Sequence, residues 1–159
     1  MSEPRLRPAA RAIILDDDDR ILLVRFDFPE KEPVWATVGG GLEPGETHEQ
    51  AVRRELLEEA GLEDVDLGAP VWRRTHVFEL GVRWDGQDEL YFLVRTTPFE
   101  PCPRHTWAQL NAEGVTAIRW WTPDEIEQSE ELFAPRRLGE LLQVLLREGP
   151  PAELLDVGM

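Results

Sequence analysis

Residues 40–62 read GGLEPGETHEQAVRRELLEEAGL, and this run limits the possible fold more tightly than any other part of the chain. Pro44-Gly45 is a turn signal, and Thr47 with Gln50 has the spacing of a capping box. A run of good helix formers without Gly or Pro follows, up to Gly61, which suits the left-handed position that closes a helix. At about 100° per residue, Val52, Leu56, Leu57 and Ala60 form one apolar arc that can pack on a sheet. Glu55, Glu58 and Glu59, spaced three and four apart, share the neighbouring arc. Ala51 lies one turn before Glu55 and leaves space above the carboxylates, while Arg54 can pair with Glu58.

Three carboxylates so placed repel one another, by roughly a few tenths of a kcal/mol per pair. A hard cation reverses that sign, because Mg²⁺ and Mn²⁺ prefer carboxylate oxygens together with substrate phosphates. In a chain with 32 acidic residues, a solvated acidic helix face is the competing reading. The fixed offsets of Gly40, Glu46, Arg54, Glu55, Leu56, Glu58, Glu59, Gly61 and Leu62 decide against it.

These nine positions resemble the signature of the Nudix hydrolases, which cleave a nucleoside diphosphate linked to another moiety. The resemblance implies an α/β fold: a Nudix-type α/β/α sandwich with a mixed sheet, residues 1–159 forming one domain. It implies Glu55 and Glu59 as metal ligands, with Glu58 either a further ligand or the base that takes a proton from water. Which carboxylate is the base differs among family members, so the group carries over and the base stays open. Arg54 would orient the glutamates through charge-assisted hydrogen bonds. The Gly39-Gly40 backbone, without Cβ atoms, would allow carbonyls close to a metal. Glu46 would tie loop to helix. Mg²⁺ is the expected cofactor, with Mn²⁺ as a substitute.

Some members add a carboxylate from a late loop. Glu113 is the first candidate here and Glu89 the second, a solvent-facing glutamate being the alternative for each. Arg25, ending an apolar run, is a candidate for a phosphate contact or an ordinary surface arginine. Trp35, just before the glycines, and Tyr91 are candidates to line the cleft, with core packing as the alternative. Trp120 and Trp121 would point to opposite faces of a strand. His48, His76 and His105 share no metal-ligand spacing and receive no catalytic role.

Composition agrees with an enzyme of the reducing cytoplasm. No apolar run reaches membrane-spanning length, and MSEPRLRPAA lacks the apolar core of a secretory signal. A single cysteine, Cys102, excludes an intrachain disulfide and reads as an ordinary loop thiol. The net charge of −15 disfavours duplex nucleic acid but not a metal-assisted nucleotide hydrolase. The expected partner is a small nucleotide polyphosphate, with no membrane; a homodimer is left open.

Along the chain, residues 9–15 and 21–26 read as a hairpin, and residues 34–38 as a strand leading into a Gly39–Gly41 loop. Residues 71–84 and 89–96 read as strands meeting across an Asp85-Gly86 turn. Residues 98–113 read as a long loop able to close over a cleft bordered by the glutamates and glycines. A strand over 116–121, a helix opening at Thr122-Pro123 and an amphipathic helix over 135–147 complete the reading.

Two functions from different classes remain: a Mg²⁺-dependent pyrophosphohydrolase, and a Nudix-fold module that binds a nucleotide or a protein without turnover. The intact signature favours the first. NTPs, dinucleoside polyphosphates, nucleotide sugars and capped RNA ends all remain open as substrates. The proline associated with ADP-ribose cleavage and the array associated with NADH cleavage are not evident.

Overall fold

A computed structural model describes residues 3–80 and 83–158; residues 81 and 82, inside the strand expected over 71–84, lie outside the described residues. The elements are β1 (Leu6–Leu15), β2 (Ile21–Phe26), β3 (Val34–Gly41), α1 (His48–Glu55), a π-helical turn (Leu56–Ala60), β4 (Pro70–Leu80), β5 (Trp84–Arg95), α2 (Trp107–Ala112), β6 (Val115–Trp121), α3 (Pro123–Gln128), β7 (Leu132–Ala134), α4 (Leu138–Glu148) and β8 (Leu155–Asp156). The strands run β6-β2-β3-β1-β5-β4-β8, with β7 parallel to β3. Because β1 is parallel to β5 and antiparallel to β3, the sheet is mixed.

Side-chain alternation explains the layers. On one face Ala10, Ala12 and Ile14 of β1 join Leu22, Val24, Val38, Phe92 and Val94. That face is covered by Ala51, Val52, Leu56 and Ala60 of the α1 segment, and by Leu110 of α2. On the other face Ile13, Leu15, Ile21, Leu23 and Tyr91 pack under Ile126 of α3 and Leu138, Leu142 and Leu145 of α4. The result is the α/β/α arrangement that the resemblance implies, with helices on both faces of one sheet.

Several local expectations are corrected. The hairpin of β1 and β2 is paired only at its base, Leu15 with Ile21. Instead β3 is antiparallel to β2 over residues 34–37 and to β1 over residues 38–41. Since β3 is antiparallel to both, the two arms of the hairpin must diverge beyond their base, and β3 changes partner between Thr37 and Val38. The glycines form no free loop: Gly39, Gly40 and Gly41 pair with Arg11, Ala10 and Ala9. Asp85-Gly86 lies within β5 rather than in a turn. Residues 98–113 are not wholly irregular, since Thr106 and Gln109 form a capping box that starts α2. The final helix begins at Leu138, after a short β7 that the sequence did not reveal.

Gly39 is where this pairing becomes costly to alter. Its φ is 148°, and a Cβ there would strike the Ala10 carbonyl and lie 2.7 Å from the Arg11 Cα. Gly45, with φ 77°, has open space where a Cβ would go. Gly45→Ala should therefore cost only the backbone strain of an L-residue, about 1 kcal/mol, whereas Gly39→Ala should cost at least about 3 kcal/mol because two backbones must also separate. Urea denaturation of the two variants measures the difference; equal losses would mean that β1 and β3 do not approach as described.

Candidate active site

The helix carrying the glutamates is capped as its sequence demands, with Thr47 accepting from the Gln50 N–H and Gln50 returning the bond to Thr47. After Glu55 the chain widens into a single π turn, and Gly61 closes it in the left-handed conformation. Single π turns are uncommon and often mark functional positions. This one carries Glu58 and Glu59. Its trailing carbonyls are taken up by residues 102–105: Cys102 N–H donates to Ala60, Arg104 to Leu57 and His105 to Glu58, at 3.0–3.3 Å. The expected lid is in this state strapped to the helix end.

Arg54 is the hub of the surface side of the site. Its Nε and Nη2 each bond the Glu46 carboxylate at 2.9 Å, its Nη1 reaches Glu55 at 2.9 Å and Glu58 at 3.2 Å, and its Nη2 donates to the Gly41 carbonyl at 3.1 Å. Glu46 also accepts the Glu43 N–H, so it ties the turn to the helix. The Glu46 pKa is lowered, chiefly by the hydrogen bond from Arg54.

Glu55 and Glu59 are the buried pair, 8% and 1% exposed. Glu59 accepts the Gly39 N–H at 2.9 Å and feels the neighbouring charge of Glu55. Burial, and then the charge of Glu55, push the Glu59 carboxyl well above the usual range. Glu58 is pushed up less, again first by burial and then by Glu55, with Arg54 and His105 opposing. A Cβ on Gly40 would lie 2.8 Å from the Glu55 Oε1, so only glycine lets this carboxylate approach the strand.

Hard oxygen donors held close, needing a positive charge and facing a strand without Cβ atoms, fit a divalent cation. Among the described residues no three His, Cys, Asp or Glu side chains converge on one point. The Arg54 guanidinium bonds both Glu55 and Glu58 and is the positive charge between them.

Behind the glycines lies a second cluster. Arg11 donates from Nε to Glu89 at 2.6 Å and from Nη1 to the carbonyls of Thr37 and Gly39 at 3.2 and 3.1 Å. Arg74 bonds the other Glu89 oxygen at 2.6 Å, and the Tyr91 hydroxyl lies 3.5 Å from it. Burial would raise the Glu89 carboxyl, but the two arginines carry it below its usual range. Burial lowers the His76 pKa beside Arg74.

The sequence-derived candidates thus separate. The structure brings together Gly39, Gly40, Arg54, Glu55, Glu58 and Glu59. Glu89 joins them only through Arg11, and as a fully engaged ion-pair partner it is not free to act as base or ligand. Glu113 is exposed at the C-terminal cap of α2. Trp35 is corrected to a core residue, packed edge-on against Trp121 with its indole N–H on Glu131. Tyr91 is likewise corrected: it is 1% exposed beneath Trp72, and neither ring can stack on a ligand without unpacking the core. Arg25 bonds Thr116 and pairs with Asp27.

Arg11, Arg74 and His105 were missed. Arg11 had a signal, a lone charge in the apolar run AARAIIL. His105, whose Nε2 lies 3.6 Å from Glu58, had none, because its proximity arises from the strap. A groove of about 690 Å³ between α4 and residues 149–158 contains none of these residues.

A NUDIX domain model matches residues 5–142. An RNA pyrophosphohydrolase of Helicobacter pylori is 34% identical over 109 residues, 60% of this chain and 66% of that protein. One of Caulobacter vibrioides is 27% identical over 148 residues, 87% of this chain and 83% of that protein. The chain thus spans just under two thirds of the Helicobacter relative. A NUDIX hydrolase structure from Nitrosomonas europaea superimposes with a TM-score of 0.69 at 16% identity, over 99% of this chain and 82% of that one, a likeness of fold.

The raised Glu59 pKa gives a signed stability prediction. Its contribution is complete below the ordinary glutamate value and is lost as pH rises through the elevated folded value. Glu59→Gln cannot ionise, so without metal its Tm should gain on the wild type as pH rises from ~4 to ~8. Thermal melts across that range in EDTA test this, and a constant Tm difference would show that Glu59 titrates normally.

Proposed function

This chain belongs to the NUDIX domain family, and on that premise we propose that it is a hydrolase that cuts a phosphoric anhydride bond in a nucleoside diphosphate linked to another moiety. The observation that carries this reading is the buried Glu55–Glu59 pair set against Gly39 and Gly40. Folding retains two carboxyls there at an electrostatic cost that a cation would remove.

Glu55, Glu58 and Glu59 would hold Mg²⁺ or Mn²⁺, which would screen the phosphate charge and acidify water. Arg54 orients Glu55 and Glu58 and balances their charge. Glu58, the more exposed of the three glutamates and with a raised pKa, is suited to take the proton from attacking water. His105 faces the same carboxylate from the strap.

A short nucleotide polyphosphate fits the electrostatics best. The net charge is −15, and most arginines are engaged with acidic partners, which leaves little to bind a long polyanion. A second reading, the 5′ polyphosphate end of RNA, is favoured by the names of the Helicobacter and Caulobacter relatives.

A panel of NTPs, dinucleoside polyphosphates, nucleotide sugars and 5′-triphosphorylated RNA, scored by product identity with Mg²⁺ and with EDTA, tests the proposal. Hydrolysis should vanish on chelation and return with Mg²⁺ or Mn²⁺. Glu55→Gln and Glu59→Gln should each lower kcat/KM by roughly a hundredfold or more while remaining folded. Full activity in EDTA, or in either variant, contradicts the assignment; tight nucleotide binding without turnover would make the chain a binding module.

A further inference from the structure

The buried cluster behind the glycines has a geometry that a purely structural ion pair would not need. Glu89 is gripped from both sides, by Arg11 Nε on one oxygen and Arg74 Nη1 on the other. That grip leaves Arg11 a single orientation, in which its Nη1 points at two backbone carbonyls of β3, Thr37 and Gly39. These carbonyls flank Val38, where β3 changes partner from β2 to β1. The N–H of the same Gly39 is the donor to Glu59. Both polar groups of Gly39 are therefore occupied, one by the interior arginine and the other by a signature carboxylate. Pairing with β1 holds the strand at Gly39, and these two bonds add to it on the peptide groups that face the helix.

We infer that Arg11, oriented by Glu89 and Arg74, is a positioning residue for Glu59, acting through the backbone of Gly39. It touches no reacting atom. It sets the direction in which the Gly39 N–H presents itself, and so where the Glu59 carboxylate stands relative to Glu55. The guanidinium fork is needed for this, because one group must meet a carboxylate and two carbonyls at once; a lysine ammonium keeps the charge but lacks the planar fork. The functional consequence rests on the metal-dependent reading above, whereas the structural link does not.

Arg11→Lys separates these levels. In the metal-free protein, amide hydrogen exchange at Gly39 should accelerate at least about tenfold relative to Val24 and Ala12, whose ladder bonds do not involve Arg11 side-chain atoms. With Mg²⁺, kcat should fall by about tenfold with the nucleotide KM within about twofold, and Mn²⁺ affinity, read by paramagnetic resonance, should weaken several-fold. In the double variant with Glu59→Gln, the losses should not multiply, since both changes act on one carboxylate. Glu89→Gln, which preserves shape and an acceptor, should reproduce the pattern more weakly and serves if Arg11→Lys does not fold.

Unchanged exchange at Gly39 overturns the inference whatever the activity. A rise in KM alone would mean that Arg11 meets substrate directly, and multiplicative losses with Glu59→Gln would mean that it acts elsewhere. If the wild type hydrolyses nothing, the exchange result still decides the structural link, and only the proposed activity has failed.

Discussion

The close approach of β1 and β3 at Gly39 is the constraint on which the rest of the site depends. Two strands meet there with no room for a Cβ, and the chain turns from one partner to another. There the Gly39 N–H meets Glu59, and the absence of a Cβ on Gly40 admits Glu55. Without those two glycines the carboxylates would have to move outward, and the pair would lose the burial that defines it. The apolar arc of Ala51, Val52, Leu56 and Ala60 supplies the opposing grip by anchoring the helix to the sheet. Packing therefore fixes the helix, and the strand fixes the carboxylates.

Charge is arranged around this in two shells of opposite emphasis. On the solvent side one arginine, Arg54, serves Glu46, Glu55 and Glu58. On the interior side one glutamate, Glu89, serves Arg11 and Arg74. The interior cluster carries an excess positive charge close to an acidic helix, which offsets part of the cost of burying Glu59. It does not cancel that cost, since the Glu59 carboxyl still holds its proton well above the usual range. A binding place for a cation is the consistent reading of that residual deficit.

The helix, its capping box, its glycine stop and the face shared by the glutamates were all legible in the sequence, because each follows from spacing within one turn or two. The α/β/α layering came from the family resemblance, while apolar periodicity located most of the strands and helices that build it. The change of partner along β3 was not, because 34–41 read as strand then loop, and pairing with β1 rather than β2 is a long-range choice. For the same reason Asp85-Gly86, a good hairpin dipeptide, lies within β5: tertiary pairing with β1 along its whole length overrides local turn preference. Trp35 and Tyr91 looked available to a ligand because strand alternation gives a side chain's face but not what covers it. Helix α4 and β7 cover that face. Arg11 was legible in principle as the one charge in the apolar run AARAIIL, whereas His105 reaches Glu58 only through the strap over residues 102–105.

The most direct measurement of the central claim is the position of Mn²⁺ in an anomalous difference map from soaked crystals. The account predicts a peak bounded by the carboxylates of Glu55 and Glu59 beside Gly40, with Arg54 displaced from its bond to Glu55. A fully occupied peak elsewhere, with Glu59 still on the Gly39 N–H and Arg54 still on Glu55, would contradict it.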